Sequence, residues 1–62
     1  MIIQGNTLVK IEEKDITDGV LIIPEGIVTV EKRACCGYQA QIKRIIFPSS
    51  LKTIKQFAFI LS

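Results

Sequence analysis

The residues best suited to chemistry are two adjacent cysteines, Cys35 and Cys36, in a chain of 62 residues that contains no histidine. Two thiolates can ligate a soft metal ion or take part in redox exchange, and the neighbouring Lys32 and Arg33 could lower a thiol pKa. A closed structural zinc site needs four ligands, so two copies of the chain would have to share one. Because free cysteine also behaves as a small hydrophobic residue, we interpret the pair as structural and expect no metal and no cofactor.

Catalysis by a nucleophile or by acid-base chemistry lacks its usual residues. Without histidine, a serine or cysteine nucleophile has no common general base. The acidic stretch from Glu12 to Asp18 could in principle hold a calcium ion, but it lacks the ligand spacing of a calcium-binding loop. We therefore expect a solvated connector there, no catalytic residues, and a protein that is not an enzyme.

Basic residues concentrate in the second half of the chain. Only Glu31 is acidic after residue 30, which leaves that half with a local charge of +5. This asymmetry could attract an acidic protein or a nucleic-acid surface, although no aromatic side chains are interleaved for base stacking. The predicted basic patch consists of Lys32, Arg33, Lys43, Arg44, Lys52 and Lys55.

The composition excludes two broad classes of protein. With 48% apolar residues and a net charge of only +2, the chain does not have the composition of a disordered protein. No apolar run approaches the roughly 18 residues that a membrane-spanning helix requires, and Met1 to Asn6 lacks the basic start of a signal peptide. We therefore expect a cytoplasmic protein without a membrane segment.

The chain contains an internal repeat of 24 residues. Sliding the sequence by this distance aligns apolar positions with apolar positions while the polar positions vary. The identities are Ile22 with Ile46, Pro24 with Pro48, Thr29 with Thr53 and Ala34 with Ala58. We divide the single domain into a first unit at 18–41 and a second, truncated unit at 42–62, preceded by an N-terminal segment at 1–17.

Each unit is predicted to contain a strand, a turn and a short helix. Leu21 to Ile23 and Ile45 to Phe47 alternate like strands, with Leu21, Ile23, Ile45 and Phe47 facing the core, and a proline closes each run. The apolar spacing then changes to three and four, which is typical of one helical face. These positions are Ile27, Val30 and Ala34, then Leu51, Ile54 and Ala58, with Thr29 and Thr53 as helix caps and Gly37 as the end of the first helix.

The N-terminal segment predicts a different element. Met1 to Gln4 and Leu8 to Ile11 are strand-like runs joined by a glycine-containing turn, which is typical of a β-hairpin. A stack of repeated units needs its end covered. We therefore expect the hairpin to cap the first unit.

The second unit resembles the BspA-like class of leucine-rich repeats. The residues that carry the resemblance are Ile42, Ile45, Phe47, Pro48, Leu51, Ile54, Ala58 and Phe59, and the first unit repeats the pattern from Leu21 to Ala34 with Asp18 in place of the leading leucine. The resemblance implies a short α/β solenoid with a parallel sheet on one face and helices on the other. It also implies an interaction module without shared enzymatic activity, found on a cell surface or secreted where the chain is part of a longer protein of this class.

Two surfaces are candidates for binding. The first is the apolar end of the chain, which we expect to pack against a second copy or to continue into a longer array, and it consists of Phe57, Phe59, Ile60 and Leu61. The second is the outward face of the sheet, formed by Val20, Ile22, Arg44 and Ile46. The sequence thus predicts a self-associating protein-interaction module. The alternative is a small regulator or inhibitor that binds an acidic protein or nucleic-acid surface through its basic half.

Overall fold

The computed structural model describes residues 1–58, and its elements are seven short strands and one turn of 3-10 helix at Glu13–Asp15. Within that range, the strands belong to two sheets. The strands are β1 (Ile2–Gln4), β2 (Thr7–Lys10), β3 (Ile16–Thr17), β4 (Val20–Ile22), β5 (Thr29–Val30), β6 (Arg44–Ile46) and β7 (Thr53–Ile54).

The two sheets have related strand orders. Sheet A has the order β1-β2-β5-β7 and sheet B the order β3-β4-β6. In both sheets the first pair is antiparallel and every later pair is parallel. Both sheets are therefore mixed, and the latest strand in the sequence lies at one edge of each.

The predicted N-terminal hairpin is confirmed. Strands β1 and β2 pair antiparallel, with Ile3 opposite Leu8 and Gln4 opposite Thr7. The turn between them places Gly5 at a φ of 61°, a left-handed conformation that glycine adopts at little cost. The hairpin covers one side of the first unit, because β2 pairs with β5 in sheet A.

The 24-residue repeat appears directly in the strand register. Val20 lies opposite Arg44 in sheet B, and Thr29 lies opposite Thr53 in sheet A. The two units therefore stack in parallel, each contributing one strand to each sheet. Residues that the sequence repeat aligns become neighbours across a strand pair.

The predicted fold class is wrong. The segments expected to be helical contain β5 and β7, and no α-helix occurs among residues 1–58. Each unit is a strand, a turn and a second strand, so the described chain is a small mixed-sheet β domain. It is not an α/β solenoid of strand-turn-helix units.

The error has a physical explanation in the backbone. Ile27, Val28, Thr29 and Val30 are all β-branched, and such side chains favour strands because their χ1 rotamers are restricted in a helix. The spacing of three and four residues between the apolar positions then reflects a sharp bend of the backbone after the strand, which we call the corner. Arg33 has a left-handed φ of 61° there, which an α-helix does not accommodate.

The same corner recurs in the second unit, where Phe57 has a φ of 62° at the position equivalent to Arg33. The backbone N–H of Arg33 donates to the carbonyl of Phe57, and that of Cys35 donates to the carbonyl of Ala58.

The predicted helix ends are absent from the described residues as well. Thr29 and Thr53 are strand residues and cap no helix, and Gly37 occupies a turn at a φ of 91°.

One apolar core lies between the elements of both sheets. It receives Leu8 and Val30 from sheet A, Leu21 from sheet B, and further residues from the turns and corners. The buried core residues of the described chain are Leu8, Ile11, Leu21, Ile23, Ile27, Val30, Ala34, Cys35 and Ala58. The core thus belongs mainly to the first unit and the hairpin.

Truncating the core should be far more damaging than truncating the neighbouring surface residue. Leu21→Ala removes a side chain with no exposed surface, whereas Ile22→Ala removes one that is 60% exposed on the same strand. A buried Leu→Ala change costs about 2 to 5 kcal/mol, which consumes most of the roughly 3 to 5 kcal/mol that a core of this size supplies. Urea unfolding followed by circular dichroism should find L21A largely unfolded in buffer and I22A close to the parent. Equal midpoints for the two variants would contradict this core.

Candidate interaction surface

The apolar row inside sheet A shows how the two units differ in burial. Ile3, Leu8, Val30 and Ile54 occupy one row across the four strands, because each lies opposite the next in the register. The middle members, Leu8 and Val30, have no exposed surface, but Ile54 is 46% exposed and Ile3 41%. The row therefore ends in a half-exposed isoleucine on each side.

Sheet B shows the same loss of burial at its last strand. Leu21 and Ile23 in the first unit are buried, whereas Ile45 is half-buried and Phe47 is 46% exposed. The prediction that Phe47 faces the core is therefore wrong. We define the open end as Ile45, Phe47, Leu51 and Ile54 together with the outer edges of β6 and β7.

Two backbone carbonyls at the open end are equivalent to carbonyls through which the first unit binds the second. The carbonyls of Val28 and Val30 accept hydrogen bonds from the N–H groups of Lys52 and Lys55, at 2.8 and 3.0 Å. The equivalent carbonyls in the second unit belong to Lys52 and Ile54. Because β7 is the edge strand of sheet A among the described residues, these carbonyls lie on the side that faces away from β5.

A polar network joins the two turns that follow the prolines. Glu25 accepts hydrogen bonds from the backbone N–H and the hydroxyl of Ser49, at 3.0 and 2.8 Å. The hydroxyl of Ser50 donates to the Ile27 carbonyl and accepts from the Gly26 N–H. The bonds from the Ser49 backbone and side chain lower the pKa of Glu25. The first unit thus holds the second through a carboxylate.

An ion pair joins the units near the other end of their sheet A strands. Lys55 Nζ lies 3.3 Å from Glu31 Oε1. The pKa of Glu31 is lowered by the hydrogen bond from the Lys32 N–H and then by Lys55. The first unit again supplies the carboxylate, and the second unit supplies the cation.

The N-terminal ammonium forms a second charged cluster beside the hairpin. The Met1 nitrogen lies 2.6 Å from Glu12 Oε1 and 2.9 Å from Asp15 Oδ2. The ammonium donates hydrogen bonds to these carboxylates, and the bond to Glu12 first and then the bond to Asp15 raise its pKa. The bond from Met1 also lowers the pKa of Glu12. The predicted solvated connector is therefore partly held by ion pairs in the described structure.

The cysteine pair occupies a packed position. Cys35 is buried in the core, Cys36 is half-buried, and both are free thiols. Burial raises the pKa of the Cys35 thiol to about 11. The structural interpretation of Cys35 gains support from this environment, because a thiolate is disfavoured there.

The sequence-predicted self-association residues are only partly described. Phe57 is half-buried at the second corner, and Phe59, Ile60 and Leu61 lie outside the described residues. Sequence reasoning placed Ile54 and Phe47 in the core and so missed them as surface residues. The signal that could have found them is their position in the second unit, beside which the described residues place no further strand.

The predicted sheet face is exposed at three of its four positions. Ile22 and Ile46 are neighbours across β4 and β6 and are 60% and 40% exposed, while Arg44 is exposed and Val20 half-buried. This places an apolar pair on the outer side of sheet B. A role in partner binding stays a prediction.

The predicted basic patch is distributed over three places along the chain. Lys43 and Arg44 lie at the beginning of β6, and Lys52 precedes β7. Lys32, Arg33 and Lys55 follow β5 and β7, where Lys55 is already paired with Glu31. Binding of an acidic protein or nucleic acid by these residues stays a prediction.

Other kinds of site are not evident in the part of the chain that the structure describes. Residues 1–58 contain no group of three or more histidine, cysteine, aspartate or glutamate residues that could hold a metal ion, and no pocket forms among them. No helix within this range has the length and apolar character needed to cross a membrane. The open end is therefore the best-defined candidate site.

Comparisons with known proteins return no match: no family model, no curated protein and no solved structure is significantly similar to the chain. The resemblance to BspA-like leucine-rich repeats stays a prediction from the residues that carry it.

Replacing Glu25 by glutamine should remove a pH-dependent contribution to stability. Because the pKa of Glu25 is lowered in the folded chain, its charged form stabilises the fold above the ordinary carboxyl pKa of 4.5, and the effect is lost as the pH falls through the lowered value. Urea midpoints should therefore be lower for E25Q than for the parent near pH 7, and the two should converge as the pH falls from 7 through the lowered pKa of Glu25. A constant difference between the two proteins across this range would contradict the role of the carboxylate.

The two thiols should differ in reactivity under native conditions. With a pKa of about 11, only about one Cys35 in a thousand is a thiolate at pH 8, and the side chain is also shielded. Iodoacetamide labelling followed by peptide mass spectrometry should modify Cys36 first and Cys35 only after unfolding in urea. Rapid labelling of Cys35 in the native chain would show that the corner opens readily.

Proposed function

We propose that this chain is a non-enzymatic protein-interaction module that adds further polypeptide strands to its open end, and that it self-associates in this way. The observation that carries the proposal is the contrast between equivalent residues of the two units. Leu21, Ile23 and Val30 are buried because the second unit lies against the first. Their equivalents in the second unit have the same apolar character but lie at the last strand of each described sheet.

The half-exposed apolar side chains of the open end favour a covering strand. Completing the burial of a half-exposed isoleucine or phenylalanine is favourable by roughly 1 kcal/mol, as half of the transfer free energy of the whole side chain. Ile54 and Phe47 both gain this contribution when a strand covers them. Additional gains come from Ile45 and Leu51, which are already half-buried.

Backbone groups at the two sheet edges of the open end also favour strand addition. Strands β6 and β7 are the last described strands of sheets B and A, so both of these described edges can accept a strand on the same side of the domain. Strand addition of this kind gives affinity through main-chain hydrogen bonds and specificity through side-chain contacts. Two edges used together restrict the partner to a chain that offers two strands with matching separation.

We also propose a cytoplasmic location for the chain. Free Cys35 and Cys36 support it, because thiols persist in reducing compartments and are commonly oxidised outside them.

A charged residue at the edge of β7 should abolish self-association, whereas the same change on the sheet B face should not. Ile54→Lys places a charge in the open end, and Ile22→Lys places one at a central strand, β4, whose neighbours are already paired. Lysine at a strand edge opposes pairing with another chain. Sedimentation equilibrium over about 1 to 500 µM should show mass increasing with concentration for the parent and I22K, and a constant 6.9 kDa for I54K.

Circular dichroism must show that both variants retain the parent fold. A parent chain that stays monomeric over the whole range would refute self-association at the open end. Loss of association in I22K but not in I54K would favour the sheet face around Ile22 and Ile46 as the binding surface.

A further inference from the structure

We propose that the partner at the open end is the opposite side of a second copy, so that copies assemble head to tail. This inference rests on the proposed function and specifies the partner surface and its orientation. The head edge is the outer side of β1 in sheet A together with the outer side of β3 in sheet B. It is the only other pair of strand edges that the two described sheets present.

The strand directions fit this arrangement in both sheets. In sheet A, β1 runs antiparallel to β2, whereas β2, β5 and β7 are mutually parallel, so β1 runs opposite to β7. In sheet B, β3 runs antiparallel to β4, and β4 is parallel to β6. A second copy shifted along the stacking direction therefore brings an antiparallel strand to each edge, and sheet A continues into sheet A and sheet B into sheet B.

The side-chain rows of sheet A fit as well. Ile3 and Ile54 are the two half-exposed ends of one apolar row, with Leu8 and Val30 buried between them. A shifted copy places its Ile3 directly beside Ile54, and the row continues through the contact without a change of register. The polar row next to it continues too, because Gln4 of the second copy lies opposite Thr53.

The apolar row of sheet B also continues into the second copy, and opposite charges meet beside it. Ile16, Leu21 and Ile45 form its inner row, so Ile16 of the second copy falls beside Ile45. In the antiparallel register this implies, Asp18 of the second copy lies at the beginning of β6, next to Lys43 and Arg44. Both apolar rows are completed, and opposite charges meet at the rim of the contact.

The charge distribution disfavours the main competing arrangement, which is a two-fold pairing of two open ends. The second unit has four basic residues and no acidic residue between positions 42 and 58, so two open ends would bring like charges together. The head edge instead lies next to the acidic connector, where Glu12, Glu13, Asp15 and Asp18 outnumber Lys14 and the Met1 ammonium. Electrostatics therefore favour the unlike ends.

A head-to-tail contact has a defined consequence for size. The two surfaces in contact are different, so each added copy presents a new open end, and assembly continues past the dimer unless the copies close a ring. A two-fold contact stops at the dimer. Assembly size thus separates the two arrangements before any variant is made.

The test mixes two variants that block opposite sides. Ile54→Lys blocks the open end, and Ile3→Lys blocks the head edge at the equivalent end of the same row. Each variant alone should sediment as a monomer at concentrations where the parent assembles. An equimolar mixture should form a species of twofold mass and no larger, because the free head edge of I54K fits the free open end of I3K. Raising the salt concentration from about 50 to 500 mM should weaken this heterodimer, since it screens opposite charges.

Each outcome decides between the alternatives once circular dichroism shows both variants folded. A homodimer formed by I3K alone, with no further change on mixing and with stronger association at high salt, would overturn the head-to-tail arrangement while the open end remains the site. Self-association that persists in I54K would overturn the proposed function itself. In a control mixture with I22K, which retains both edges and assembles on its own, I54K should lower the mean mass of the assemblies, because it occupies their open ends and presents no usable open end itself.

Discussion

The parallel pairing of strands at a separation of 24 residues is the constraint on which the whole domain depends. The strands have only two to four residues, and each net hydrogen bond contributes about 1 kcal/mol, so the ladders alone hold little. Stability comes from the register, which places Leu21 beside Ile45 and Val30 beside Ile54 and buries the first member of each pair. The turn contacts of Glu25 and the corner contacts of Arg33 hold this register at both ends of the strands.

The second unit covers the first, and the described residues place no further strand over the second unit. This explains why residues of the same apolar type differ so much in exposure between the two units. Charged side chains also differ between the two units, because the carboxylates of Glu25 and Glu31 in the first unit bind groups of the second. The second unit has no carboxylate in its described residues to repeat this role. In the proposed head-to-tail contact, the acidic connector beside the head edge supplies the carboxylates.

Much of the architecture could be predicted from local sequence signals. The hairpin followed from two strand-like runs around Gly5, and the 24-residue period followed from the alignment of Pro24 with Pro48 and of the apolar positions around them. The helices were predicted wrongly, because the spacing of Ile27, Val30 and Ala34 fits a helical face as well as a strand followed by a corner. The β-branched run through Val30 was the local signal for a strand, and the left-handed backbone at Arg33 was not visible in the sequence at all.

The sequence by itself determined the repeat, the hairpin and the separation of acidic and basic residues, since these depend on residue type and spacing alone. Only the tertiary structure decided which apolar residues are covered. Phe47 and Ile54 occupy core positions of the repeat, yet they are half-exposed because burial depends on the next strand in space. The candidate site is therefore a property of where the described stack of strands ends, and no single residue carries that information.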